Sequence, residues 1–203
     1  KSEFKAPSQQ NIDIQGLHTI HEEKLTVEGE PINQGQGWAV FIRSEKDPGI
    51  GYRVLKQPDN MTGDDHRYQQ LDVQYKLEVA ERDTTGLTPQ VYAHDPETET
   101  LKMEMIQGTP LNKYSGTLPP ETMERFIDEL GAFHSLGLYH GDLSDVSHWV
   151  LTPAPEKRIR LIDPSFTYIP SGKTRESIQQ MDLGTAMREL RQHWGYIEPQ
   201  NPE

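Results

Sequence analysis

The stretch HGDLSDVSHWVL, residues 140–151, gathers two histidines, two aspartates and two serines just ahead of an apolar Trp-Val-Leu. Such clusters are often only turns, because Asp and Ser bond readily to nearby backbone. Its neighbours argue for more. Upstream, LPPETMERFIDELGAFHSLG (118–137) places Pro119 and Pro120 at a helix start. Met123, Phe126, Ile127, Leu130, Phe133 and Leu136 then form one apolar stripe before Gly137 stops the helix. Downstream, WVL predicts a strand, TPAPEK a turn, and RIRLI a second strand that delivers Asp163 at its end. A polar loop thus follows a firm helix, and a second carboxylate arrives after the next strand.

Further from the loop, short β-like stretches alternate with glycine punctuation: KLTVEGEPI, GQGWAVFIR and, after the turn KDPG, GIGYRVLKQ. This pattern predicts a three-stranded meander. Asp64 and Asp65 are candidate caps for a helix through YQQLDVQYKLEVAERD, where Leu71, Tyr75, Val79 and Arg82 recur at helical spacing. Two more strands follow, PQVYAHD and TLKMEMI. A last helix spans residues 176–193, with Ile178, Met181, Leu183, Met187 and Leu190 as its apolar positions. The reading is α+β, with a cleft between two lobes. Residues 1–23 form a polar extension, 24–106 a sheet-rich lobe, 107–197 a mainly helical lobe and 198–203 a tail.

Composition narrows the function. Net charge is -12, from 20 Lys and Arg against 32 Asp and Glu, which repels nucleic acid and anionic membrane. With no Cys there is no disulfide, thiolate zinc site or cysteine nucleophile. No apolar run is long enough for a bilayer span, so the chain reads as soluble, and we expect a monomer.

Several residues suit phosphoryl transfer. Gly35, Gln36 and Gly37 make either a hairpin turn or a glycine-rich loop whose N–H groups approach phosphates. Lys56, closing RVLK, suits a phosphate-reaching lysine, and Glu78 on the following helix would hold it by an ion pair. Glu81 is the alternative. Met103, Glu104 and Met105 form either a Met-rich buried strand or an inter-lobe segment. The second reading presents backbone groups to an adenine edge, with Met103 at the back of the pocket. Phosphoryl transfer also needs a carboxylate for the attacking hydroxyl and oxygen ligands for magnesium, and Asp142 and Asp163 meet these needs in that order.

Over residues 24–195 the chain resembles the protein-kinase superfamily. GQGWAVFI resembles its glycine-rich loop, with Val40 in place of the third glycine and Ile42 where valine is usual. RVLK, HGDL and LIDPS resemble the strand-lysine, catalytic-loop and metal-binding motifs. The resemblance implies a minimal bilobal kinase fold with a five-stranded antiparallel N-lobe sheet, one helix there, and a reduced C-lobe. It implies Asp142 as catalytic base, Asp163 as main magnesium ligand, Lys56 with Glu78 as the phosphate-positioning pair, and Asp182 as a brace beneath the catalytic loop.

The departures are informative. Gly141 stands where the family's catalytic arginine is usual, so activation by phosphorylation of the activation segment is not expected. Pro164 follows Asp163 and restricts its backbone, which points to an activation segment held in one state. The asparagine for a second metal is missing. Counting from Asp142 gives Ser147 in its place, whereas aligning the strand WVL gives His148, the preferred reading. Imidazole there weakens the second metal and favours tolerance of Mn2+ beside Mg2+. Among kinase-like families the chain is most similar to small bacterial effector kinases delivered by type III secretion. This resemblance implies an ATP-dependent kinase, Ser/Thr favoured, that acts on a host protein in the host cytoplasm, with a host activator supplying missing C-lobe surface. The alternatives are a small-molecule or sugar kinase of the same fold and a nucleotide-binding pseudokinase scaffold.

Overall fold

The computed structural model describes residues 20–33, 39–55, 62–165 and 174–197. Its first part is a sheet of six strands: β1 (His21–Glu22), β2 (Gly29–Asn33), β3 (Ala39–Ser44), β4 (Ile50–Leu55), β5 (Val91–Asp95) and β6 (Thr100–Glu104), in spatial order β1-β5-β6-β4-β3-β2. The meander β2-β3-β4 is as the glycine punctuation predicts. The sheet is not purely five-stranded and antiparallel, because residues expected in the polar extension add β1 parallel to β5, with His21 opposite Ala93. Two hydrogen bonds fix this addition: Glu23 N–H donates to His94 O at 3.0 Å, and Leu25 N–H donates to the Asp95 carboxylate at 3.1 Å.

Helix α1 (Gly63–Arg82) is capped by Thr62. Thr62 Oγ1 accepts from Asp65 N–H, and the Asp65 carboxylate accepts from Thr62 N–H at 2.9 Å. Asp65 is therefore the reciprocal member of a capping box rather than the cap. The buried face of α1 also differs from expectation. It carries Gln69, Asp72, Val73, Tyr75, Lys76, Val79 and Ala80, with two charged side chains in the middle. Val73 and Ala80 pack beneath the sheet with Val91, Leu101 and Met103, while Tyr75 and Val79 join the core of the second lobe. Tyr75 stacks on Tyr139 at 4.4 Å, and its hydroxyl accepts from Tyr139 N–H at 2.8 Å. One helix thus belongs to both cores and sets the position of each lobe against the other.

Helix α2 (Pro120–Ser135) begins at the paired prolines and buries Met123, Phe126, Leu130 and Phe133. Phe126 packs on the wholly buried Trp149 at 4.8 Å between ring centres. Removing either ring would cost on the order of 3–5 kcal/mol. Strands β7 (Thr109–Pro110), β8 (Trp149–Leu151) and β9 (Ile159–Leu161) make a small second sheet. Gly108 passes so close to β8 that a Cβ there would lie 2.4 Å from Leu151 O, which is why the inter-lobe link is glycine at this point. Helix α3 (Arg175–Trp194) starts on Thr174 and ends on Gly195 in the left-handed conformation. Met181, expected in its apolar stripe, is 58% exposed, because the neighbouring Asp182 takes the inward position.

Candidate active site

Asp182 organises the loop that opened the sequence reading. Its buried carboxylate accepts from His140 N–H at 2.6 Å and from Gly141 N–H at 3.1 Å. The His140 ring is fully buried. Its Nε2 lies 2.9 Å from Ile162 O, and Nδ1 faces Asp142 N–H at 3.3 Å, a pattern that suits neutral imidazole protonated on Nε2. Burial holds this imidazole below its ordinary pKa and outweighs the nearby Asp182 charge. His140 O in turn accepts from Ser165 N–H at 2.8 Å, so one residue ties the loop after α2 to the segment after β9. Gly141 has φ +85°, a conformation that an arginine at this position would strain to adopt.

Above this base, Asp142 keeps 43% of its side chain exposed. Ser144 Oγ donates to its Oδ1 at 3.2 Å. His148 Nδ1 lies 3.2 Å from Asp142 O and 3.6 Å from Asp142 Oδ2, with Nε2 4.0 Å from Asp145. The ring therefore sits between two carboxylates of its own loop. Ser147 belongs to the same short turn, its N–H donating to the Asp145 carboxylate at 2.9 Å. Among the described residues no three His, Asp or Glu side chains converge as a metal site. Of the expected set of Asp163, His148 and Ser147, His148 lies close enough for its charge to act on the Asp163 carboxylate. Asp163 remains a fitting magnesium ligand, since magnesium is commonly held by one or two carboxylates together with substrate phosphates and water.

Asp163 has φ +57°, so the following proline has not kept it in extended backbone. Asp tolerates that region better than most residues. Lys76 Nζ lies 3.0 Å from Asp163 Oδ1, 2.6 Å from Pro164 O and 3.0 Å from Asp72 Oδ2. The same Asp72 oxygen accepts from Arg53 Nη2 at 2.8 Å. Two cations and two carboxylates from β4, α1 and the segment after β9 form one chain of contacts. Burial alone would raise the Asp163 pKa, but Lys76 and then Arg53 overcome it and hold the carboxyl below its usual range.

Arg53, Asp72 and Lys76 were not among the residues expected from sequence. Gly35, Gln36, Gly37 and Lys56 lie outside the described residues. Glu78 does not face the sheet: it pairs with Arg175 at 2.7 Å and with Arg82 at 2.6 Å. The acid that α1 presents to the sheet is Asp72, and the cation it meets there is Arg53. Ile42 lies on β3. It pairs with Tyr52, whereas the adjacent Phe41 pairs with Arg53, so strand alternation turns Ile42 to the face away from α1. Met103 is buried in the core beneath the sheet with Val91 and Leu101. The N–H groups of Glu104 and Met105 already donate to Gln90 O and Gly49 O, both at 2.8 Å. An adenine edge cannot take those two donors, and the Glu104 side chain is held by Arg160 at 2.8 Å. A signal for the missed residues does exist. Positions 69, 72, 73, 76 and 80 follow helical spacing, and the stripe shows once polar residues are admitted to a buried face.

No protein-family model matches the chain. A probable bifunctional tRNA threonylcarbamoyladenosine biosynthesis protein of Methanosarcina barkeri (strain Fusaro / DSM 804) is 33% identical over 116 residues, covering 53% of this chain and 20% of that protein. Among solved structures, the Rio2 kinase-ADP/Mg2+-phosphoaspartate complex from Chaetomium thermophilum aligns with a TM-score of 0.60 at 13% identity, over 87% of this chain and 59% of that one. The bifunctional kinase-methyltransferase WbdD aligns with a TM-score of 0.53 at 17% identity, over 72% of this chain and 34% of that one. The chain therefore spans about a fifth of the curated relative and three fifths or less of these two structures.

Proposed function

From a protein-kinase-like fold, we propose that this protein is an ATP-dependent phosphotransferase whose acceptor is a Ser or Thr hydroxyl of another protein. The carrying observation is that Asp142 and Asp163 stand on two segments joined through His140. Asp142 stands exposed on a braced loop and already accepts a hydroxyl hydrogen bond from Ser144, which is the contact an acceptor hydroxyl would make. In the reaction the acceptor oxygen bonds to the γ-phosphorus and the bond to the bridging β,γ-oxygen breaks. ADP leaves, and the hydroxyl proton passes toward Asp142. Asp163 would hold magnesium, which when bound neutralises charge on the phosphates. Lys76 keeps that carboxylate in place, and Asp182 keeps the loop that presents Asp142.

The protein acceptor, the Ser/Thr preference and an effector role in a host cell rest on the sequence resemblance. No helix among the described residues is long and apolar enough to cross a membrane. The test is incubation of the full chain with γ-labelled ATP, magnesium and host-cell lysate. Label should enter protein, and Asp163→Ala and Asp142→Ala should each reduce transfer by about 100-fold or more. Labelling that persists in Asp163→Ala would overturn the assignment.

A further inference from the structure

Arg53 and Lys76 both touch Asp72 Oδ2, yet their remaining capacity differs. An ammonium has three donors. Lys76 has three acceptors within 3.0 Å in Asp72, Asp163 and Pro164 O, so its donors are spent. Arg53 has one such acceptor, through Nη2. Its Nε and Nη1 are buried without a hydrogen-bond partner among the described residues, in a side chain only 4% exposed. Gln69, one turn earlier on α1, leaves its buried Oε1 similarly unpaired. Buried unpaired donors are rare in native proteins, and each carries a desolvation penalty. A charged one, linked through Asp72 and Lys76 to Asp163, calls for an acceptor.

We propose that Arg53, and not Lys56, is the side chain that holds the nucleotide's phosphates, donating from Nε and Nη1 while Asp72 anchors it through Nη2. This inference rests on the phosphotransferase reading above. A phosphate oxygen is the acceptor of choice for a guanidinium, whose charge persists at every working pH and whose rigid donors match tetrahedral oxyanions. Lys76 is then a positioning residue that fixes Asp163 against Asp72. The division follows from donor count: the spent cation holds a carboxylate, and the unspent one is left for the ligand.

Titration calorimetry of the full chain with ADP and with adenosine, in magnesium buffer, separates phosphate contacts from base contacts. Wild type is expected to prefer ADP over adenosine by at least about 30-fold. Arg53→Met should reduce that preference to about 3-fold or less while adenosine affinity stays within about 2-fold. Arg53→Lys keeps a cation on Asp72 and so protects the fold if the methionine variant unfolds. It should still weaken ADP by about 5-fold with adenosine unchanged, because one ammonium held on Asp72 cannot also present two further fixed N–H directions. Unchanged ADP affinity in Arg53→Lys, or a larger loss in Lys56→Met than in Arg53→Met, overturns the inference. Labelling by wild type separates the two readings. Transfer that persists while either of those results holds overturns the role of Arg53 alone, whereas a wild type that neither binds ADP nor transfers label overturns both.

Discussion

Helix α1 carries two ion-pair networks that look alike in sequence and differ in nearly every physical respect. Toward the sheet, Arg53, Asp72 and Lys76 keep 4%, 8% and 4% of their side chains exposed. Near the helix end, Glu78, Arg82 and Arg175 keep 29%, 46% and 41%. The second network is well satisfied. Arg175 grips both Glu78 oxygens at 2.7 and 3.0 Å, donates to Gly137 O, and lies 6.0 Å over the rings of Tyr75 and Tyr139. Its pieces come from α1, α3 and the loop after α2, so it pins the helix to the second lobe. In the first network donors remain unpaired, and desolvating four charges is costly enough that stability alone gives little reason to keep it. The buried, incomplete network is the better candidate for chemistry, and the exposed, complete one for support.

The largest test of that contrast is Asp72→Ala. It leaves Arg53 and Lys76 facing each other in a buried site with one remaining carboxylate, Asp163. Breaking a buried pair in this way costs about 3–5 kcal/mol. For a chain of this size that lowers the melting temperature by roughly 10 °C. Thermal unfolding of Asp72→Ala beside Glu78→Ala measures it directly. Should Glu78→Ala prove the more damaging change, the ranking of the two networks is reversed.

The same contrast explains what the sequence could reveal. The stripe of α2 was legible because Met123, Phe126, Leu130 and Phe133 obey the usual rule that apolar residues mark the buried face. The places of Asp142 after α2 and of Asp163 after β9 were legible because motif order around them is distinctive. Asp72 and Lys76 break the rule, for they occupy the buried face of a helix whose Leu71 is only partly covered. Choosing Glu78 as the partner acid followed motif order, whereas facing is set by the angle at which α1 meets the sheet. For Ile42, alternation says which residues share a face, but only the packing of α1 says which face is the inner one. Strand β1 was missed because HTIHEE lacks alternation, and its place comes from bonds to His94 and Asp95 far along the chain.

An acid titration gives a second, smaller separation. Asp163 has a folded pKa below its ordinary value of about 3.9, so its ionic contribution is complete above that value and lost as pH falls through the depressed one. Urea unfolding of wild type and Asp163→Asn from pH 7 down to about pH 2.5 should therefore show a gap that is constant above about pH 5 and closes in acid. Because Lys76 is buried, about 1 M salt should leave the gap largely intact. Curves that stay parallel through the acid range would remove the ionic account of this contact.

The smallest effect is expected at Glu78, and its form matters more than its size. The Arg175 hydrogen bonds are the largest influence holding the Glu78 carboxyl below its usual range; burial opposes them, and Arg82 adds to the lowering. Both guanidiniums are more than a third exposed, so solvent and salt screen most of the attraction. Glu78→Gln should cost at most about 1 kcal/mol at low ionic strength. Nearly all of that should vanish in about 1 M salt, where the screening length falls to about 3 Å. If α1 is held by this pin and its chemistry lies at Asp72, the glutamine variant should bind ADP as wild type does and transfer phosphate at a rate within about 3-fold of it. A loss of ADP affinity in Glu78→Gln matching that of Arg53→Met would mean that the outer network sets the phosphate site as much as the inner one, and the division drawn between them would fail.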